Sequence, residues 1–285
     1  MGSLTGIRRR IKSAKNIAQI TRAMEMVSAS KMRKAQDAAL STRPFTEKLI
    51  EMLRRLSGGS DAKSHPLAQI RAENNILVIL SSTTKGLCGG LNVNLYRGFR
   101  ELVEQNPNSK ISVIALGAKA KWVVSGKEIE LVAKFKNLGE KVTFEETRPI
   151  SKFLIDSFTK QEFDSVYILY PKFITTLTNE ITSQKLLPIA PYETEADQDP
   201  VDYTIEPSAS ALIDMLMPYE LEMSVYQVLL ESRATEHSAR MVAMKNASDN
   251  AKDLIASLTL DYNQARQSQV TSELLDVTTA RMALE

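Results

Sequence analysis

The chain has one cysteine, Cys88, one tryptophan and two histidines, His65 and His237, in 285 residues. A single thiol excludes an internal disulfide and any cysteine cluster around a metal. With so few imidazoles, no Ser-His-Asp order, paired-carboxylate motif or metal-ligand spacing stands out, and Cys88 has no evident base to activate it. No apolar run approaches the ~20 residues needed to span a bilayer. The basic start Ile7-Arg8-Arg9-Arg10-Ile11 leads into an amphipathic helix rather than a signal-peptide core. Gly6 stands where a myristoylation signal requires Ser or Thr. These absences read as a cytoplasmic chain. Helix breakers are equally sparse at the two ends. Between Ile7 and Ser57 there is no glycine and one proline, Pro44, and from Ser208 onward there is no glycine and one proline, Pro218.

What fills those ends is Ala, Met, Lys, Arg and Gln, the good helix formers, so both read as very long helices, about Ser3 to Leu56 and Ser208 to Ala283. At ~1.5 Å per residue the second could run on the order of 100 Å, too long to be buried in its own globule. Pro218 predicts a kink or a helix boundary. Leu230, Ala234, His237, Met241, Met244, Ser248, Ala251, Ile255, Leu258, Tyr262 and Ala265 follow unbroken 3-4 spacing, the seam of a left-handed coiled coil. Ile7, Ile11, Ile17, Ile20, Met24 and Val27 supply the expected stripe on the first helix. Two helices joined to one middle domain pair antiparallel. The Ala, Ser and Met in the seam make it a weak zipper that needs an outer sleeve or base.

Between the helices the period changes. Residues 75–81, 111–117 and 165–170 are short β-branched runs, separated by helical stretches at 91–104, 118–125 and 150–161. This alternation predicts an open, mostly parallel α/β sheet, with 178–189 adding an edge strand or hairpin. The expected organisation is an N-terminal coiled-coil helix over 1–57, a linker over 58–74, an α/β domain over 75–190, an acidic linker over 191–207 and a C-terminal coiled-coil helix over 208–285. Lys85-Gly86-Leu87-Cys88-Gly89-Gly90 lies after the first strand, where phosphate loops sit. Its spacing matches neither G-x-G-x-x-G nor G-x-x-x-x-G-K-[ST], so a tight strand-to-helix turn is the preferred reading over nucleotide binding.

Net charge is +2, unevenly spread. Residues 1–40 carry nine Lys or Arg against Glu25 and Asp37, while 191–206 carries six acids and no base. The basic helix reads as a solvated face, as a nucleic-acid arm, or as an axle facing acidic loops of partner subunits. No aromatic precedes Phe45 and no reader motif accompanies it, which weighs against nucleic acid. The rest of the chain favours the axle.

Longer motifs then become recognisable. Ile7-Arg8-Arg9-Arg10-Ile11-Lys12-Ser13 and the run from Gln19 to Met32 resemble the start of the gamma subunit of F-type ATP synthases. Lys85 to Asn92, Glu206-Pro207, Ala239 to Ala247 and Tyr262-Asn263-Gln264-Ala265-Arg266-Gln267 echo the same family in order along the chain. The resemblance implies an antiparallel coiled coil of the termini above a Rossmann-like domain. It implies the central rotor shaft, which binds no nucleotide or cofactor and performs no bond chemistry. The implied partners are a ring of three alpha and three beta subunits, the epsilon subunit and the membrane c ring, with neither nucleic acid nor a small-molecule substrate among them. Carried over by motif, Arg266 and Gln267 would meet an acidic loop of a beta subunit, as would Met24 and, close to it, Arg240. Thr271 and Glu273 would support shaft packing, and Tyr203 and Glu206 would lie at the foot toward epsilon and the c ring. Ser82-Thr83-Thr84 replaces the family's Ser-Asp-Arg or Ser-Asp-Lys, and Arg281 stands in a tail usually made of small residues. A two-cysteine redox insert of the chloroplast kind has no counterpart here. The expected location is the cytoplasmic face of a bacterial plasma membrane, as a peripheral subunit.

Overall fold

A computed structural model describes residues 4–56, 64–120, 129–135, 139, 142–189, 206 and 208–282. The chain divides into two compact units, one made of Met1–Ala29 with Arg240–Glu285 and the other of Ser30–Ala239. Helix α1 spans Leu4–Leu56 and the last helix, α4, spans Ala209–Met282, so both units contain part of each. Neither Pro44 nor Pro218 ends its helix. The boundary allowed for at Pro218 is therefore absent. The two helices have the length and position read from their scarcity of glycine, and the sheet between them is mostly parallel, as expected.

Unit Ser30–Ala239 is built on a five-stranded sheet. Its strands are β1 (Asn75–Ser81), β2 (Lys110–Leu116), β3 (Glu130–Phe135), β4 (Ser165–Phe173) and β5 (Asn179–Leu187), in the order β3-β2-β1-β4-β5. The β3–β2, β2–β1 and β1–β4 pairs are parallel and β4–β5 is antiparallel. Ile76 to Leu80 of β1 are all fully buried, because this central strand is covered on both faces. On one face, Ile76, Val78 and Leu80 pack with Ile111, Val113 and Ala115 beneath Leu95, Phe99 and Leu102 of helix α2 (Leu91–Gln105). On the other face, Leu77, Ile79, Ile114 and Ile168 pack against Ile150, Leu154 and Phe158 of helix α3 (Phe144–Thr159) and Ile213, Met217, Leu221 and Val225 of α4. Leu53 near the end of α1 joins this second layer. Removing a fully buried Phe99 or Phe158 ring would cost about 3–5 kcal/mol.

Two features differ from the sequence reading. The sequence pattern does not mark β3, because Glu130-Leu131-Val132-Ala133-Lys134-Phe135 is charge-laced, as suits a sheet edge, and in the structure it is at most half-buried. Helix α3 begins at Phe144, six residues before the expected Ile150. A reciprocal capping box between Thr143 and Glu146 starts it, with Pro149 carried inside the helix. The helix expected over 118–125 falls largely outside the described residues, as does the acidic stretch 191–205. The expected edge hairpin at 178–189 is β5, returning antiparallel along β4.

Candidate partner-binding shaft and a filled sheet crevice

In the unit formed by Met1–Ala29 and Arg240–Glu285, burial along α4 follows the seam read from the sequence. Met244, Ser248, Ala251 and Leu258 are buried and Met241, Ile255, Tyr262 and Ala265 are half-buried, while most positions between them are exposed. The stripe expected on α1 is corrected. Ile17, Ile20 and Val27 are 51%, 60% and 53% exposed, and the inward face is Leu4, Ile7, Ile11, Ala14, Ala18, Thr21, Glu25 and Ser28. This set keeps strict 3-4 spacing from Leu4, which is the signal the larger apolar residues obscured. Ala14, Thr21 and Ser28 are the buried positions of this face, where small side chains let two backbones approach closely, while the bulkier Ile17, Ile20 and Val27 stay outside it. Thr21 satisfies its hydroxyl by donating to the Ile17 carbonyl at 2.9 Å, whereas buried Ser248 Oγ has no hydrogen-bond partner among the described residues.

Arg22 links to Glu25 on its own helix at 2.8 Å. It also lies near Asp249 of α4. The Asp249 carboxyl is held below its usual range first by the hydrogen bond from Lys252 and also by the charges of Lys245 and Arg22. With Arg22 level with about Asp249, antiparallel counting brings the first described residue of α1, Leu4, level with about Gln267. Beyond that point α4 has no companion helix from α1. Residues 266–282 are all exposed, a stretch of roughly 24 Å of single helix. Val270, Leu274 and Val277 form an outward stripe on it, with Leu275 and Met282 alongside.

The residues carried over by motif fall into different environments. Arg266 and Gln267 are exposed where the paired region gives way to the single helix. Thr271 and Glu273 are exposed on the single helix itself. Thr271 donates to the Gln267 carbonyl at 2.9 Å, and Glu273 accepts from Gln269 at 2.9 Å. Met24 is half-buried and Arg240 is only 6% exposed. The counting above sets them about two turns apart along the pair, further than the neighbourhood expected for them. Glu206 is exposed, and Tyr203 lies outside the described residues. The basic side chains Arg8, Arg9, Arg10, Lys12 and Lys15 all face outward.

The unit Ser30–Ala239 holds a second place of interest. The chain reverses direction across the sheet between β1 and β4, the switch point where open α/β sheets bind ligands beyond the carboxyl ends of their strands. Here that crevice is filled by α4. Ser232 Oγ meets Ser81 Oγ at the end of β1 at 2.7 Å. Glu236 accepts from the backbone N–H of Thr84 at 3.3 Å and of Lys85 at 3.4 Å. Arg233 Nη1 donates to Glu236 at 2.8 Å and to Thr84 Oγ1 at 2.5 Å. The loop itself is braced from α2, where Asn92 exchanges hydrogen bonds with the Thr83 hydroxyl. Gly117, at the end of β2, has φ +87°, and a Cβ there would strike the Ser82 carbonyl, so only glycine closes the strand ends this tightly. About 10 Å³ remains between Ser81, Thr83, Pro171, Ser232 and Glu236. That is barely the volume of one water.

Among the described residues no helix is long and apolar enough to cross a membrane. A family model described as ATP synthase matches residues 3–284. The chain is 41% identical over 286 residues to the ATP synthase gamma chain of Pelotomaculum thermopropionicum and 42% identical over 286 residues to that of Dehalococcoides mccartyi strain BAV1, with both chains covered in full in each case. Its fold is similar to the central stalk of the Tetrahymena thermophila mitochondrial ATP synthase, with TM-score 0.63, 26% identity, and 80% of this chain and 99% of that one covered. It is also similar in fold to a rotor chain of the Euglena gracilis mitochondrial ATP synthase, with TM-score 0.67, 18% identity and coverage of 94% and 98%. With a seam of small residues, a single-helix extension and relatives matched from end to end, the chain belongs to the ATP synthase gamma chain family.

Proposed function

We propose that the chain is the central rotor shaft of an F-type ATP synthase, coupling ion flow through a membrane c ring to the conformational cycle of the beta catalytic sites. The observation that carries this reading is the unaccompanied end of α4. A helix that exposes Val270, Leu274 and Val277 in a 3-4 stripe offers an apolar surface suited to a protein partner. A ring of alpha and beta subunits is the sleeve the weak seam calls for. Coupling then requires each ring conformation to bind one rotor angle better than the others.

Within this reading Arg266 and Gln267 meet an acidic loop of a beta subunit, the Arg fork suiting a carboxylate. Thr271 and Glu273, exposed on the single helix, support the packing of the shaft. Met24 faces a beta subunit from α1. Arg240, about two turns away along the pair and buried, would act by holding the neighbouring turns in place rather than by meeting a loop. Tyr203 and Glu206 would lie at the foot, toward epsilon and the c ring. The subunit itself is non-catalytic and needs no cofactor, and it sits peripherally on the cytoplasmic face of a bacterial plasma membrane. The division into terminal coiled-coil helices over 1–57 and 208–285, linkers over 58–74 and 191–207 and an α/β domain over 75–190 is part of the proposal.

The test is reconstitution of alpha and beta subunits with and without this chain, followed by size-exclusion chromatography and ATP hydrolysis. A complex of three alpha and three beta subunits with one copy of this chain, and hydrolysis that depends on it, is the expected result. A folded chain that fails to co-elute but binds DNA in a salt-sensitive way would replace the shaft with a free-standing coiled-coil adaptor.

A further inference from the structure

We propose that Glu236 is a built-in anion for the loop after β1, standing where a ligand phosphate would sit in an open α/β sheet, and that with Arg233 it clamps the sheet to α4. The inference rests on the shaft reading for its purpose but not for its chemistry.

The crevice has the parts of an anion site. Backbone N–H groups of Thr84 and Lys85 point to one spot beyond the carboxyl end of the central strand, at the switch point of the sheet. Glycine at 117 and left-handed backbone at Leu87 and Gly89 shape the surrounding turns. Such converging amides favour an oxyanion. The oxyanion present belongs to the chain itself. The Glu236 carboxylate takes both amides and a charge-assisted bond from Arg233. The side chains of Glu236 and Arg233 are 5% and 9% exposed, so water screens neither. Arg233 in turn reaches Thr84 on the same loop, so two residues about one turn apart on one face of α4 grip one segment. A fold that binds a diffusible ligand would leave this volume open, and here about 10 Å³ is left.

A carboxylate carried on a helix has a consequence that a diffusible phosphate does not. It ties the end of β1 to the helix through charge as well as through packing. The apolar layer beneath α4 can slide by rotamer changes, whereas an amide-bound carboxylate holds one register. A shaft helix that must turn with the sheet, rather than slip over it, needs such a fixed point. Glu236 is on this account a positioning residue, acting through the loop and the helix and not on any nucleotide.

The experiment uses the full chain as wild type, Glu236→Gln and Glu236→Ala. Glu236→Gln keeps the shape and removes the charge, and hydrogen exchange at the Thr84 and Lys85 amides should accelerate by about tenfold or more, as for loss of a hydrogen bond to a charged group. Glu236→Ala removes what is chemically an acetate. Sodium acetate, compared with sodium chloride at equal ionic strength, should raise the melting temperature of this variant and restore protection at both amides, with no such effect on wild type. Unchanged exchange in Glu236→Gln would overturn the proposal, as would an acetate response absent from Glu236→Ala or equal in wild type. Should Glu236→Ala fail to fold, the exchange data on Glu236→Gln decide. In the complete enzyme, Glu236→Gln should lower ions pumped per ATP hydrolysed several-fold, and an unchanged ratio would remove the coupling role. If the wild-type chain does not assemble with alpha and beta subunits, the shaft reading fails while the exchange and acetate results still judge the anion site.

Discussion

His65 acts in its neutral form. Its Nδ1 accepts the Leu67 N–H at 3.2 Å, capping the short 3-10 turn Pro66–Ala68, and its Nε2 lies 3.6 Å from Asp214 of α4. Burial pushes its pKa below the usual value, and the nearby Asp214 offsets only part of this. A histidine whose folded pKa is depressed stabilises the fold fully above its unfolded pKa of about 6.5. That stability is lost as pH falls through the lower folded value, because the unfolded chain takes the proton first. The wild-type melting temperature should therefore drop as pH is lowered from neutral. In His65→Asn, which keeps an acceptor for the Leu67 N–H, the drop should be shallower, as read by thermal melts across a pH series. Equal slopes would mean that other groups carry the acid sensitivity. This role could not be read from one histidine beside a Ser-Gly-rich stretch, since it depends on α4 returning to cover the turn.

At the scale of elements, α4 is one helix with three environments. Its first turns are packed on the sheet, its middle pairs with α1 through small side chains, and its last 17 residues, 266–282, are exposed. The sequence pattern marked the seam on α4 correctly because Met, Ser, Ala and Leu recur there at 3-4 spacing. The same method misread α1, where Ile and Val stand out but Ala14, Thr21 and Ser28 are the residues that fit between two close backbones. A chain ending at Arg266 should melt at the same temperature as the full chain, since what is removed buries no side chain of its own unit. In the assembled enzyme the same truncation should lower ATP synthesis more than ATP hydrolysis, because contacts that hold the rotor angle under load are gone. A markedly lower melting temperature for the isolated truncated chain would show that the exposed stripe packs within the chain in solution.

At the scale of the whole molecule, function depends on the surface the shaft offers to its ring. Met24 sits half-buried among outward-facing basic residues of α1. On the proposed interface, Met24→Lys would add another cation facing a beta subunit and bias the ring toward one rotor angle. The equilibrium cost should appear as impaired coupling rather than as failed folding, since an added surface charge usually changes stability by no more than about 0.5 kcal/mol. In membrane vesicles the expected outcome is ATP hydrolysis with reduced ion pumping, and normal pumping would remove Met24 from the proposed interface.

The order of residues along the chain was by itself enough to determine two long terminal helices, an α/β domain between them and the family. Scarce glycine and proline, a change of hydrophobic period and long contiguous motifs are local properties that do not wait for folding. Only the tertiary structure decided which face of α1 turns inward, that Glu130–Phe135 forms an edge strand, and that Glu236 fills the crevice beyond β1. Each of these depends on contacts between residues far apart in sequence, Glu236 and Thr84 among them, and no local pattern records how a helix returns to cover a strand end.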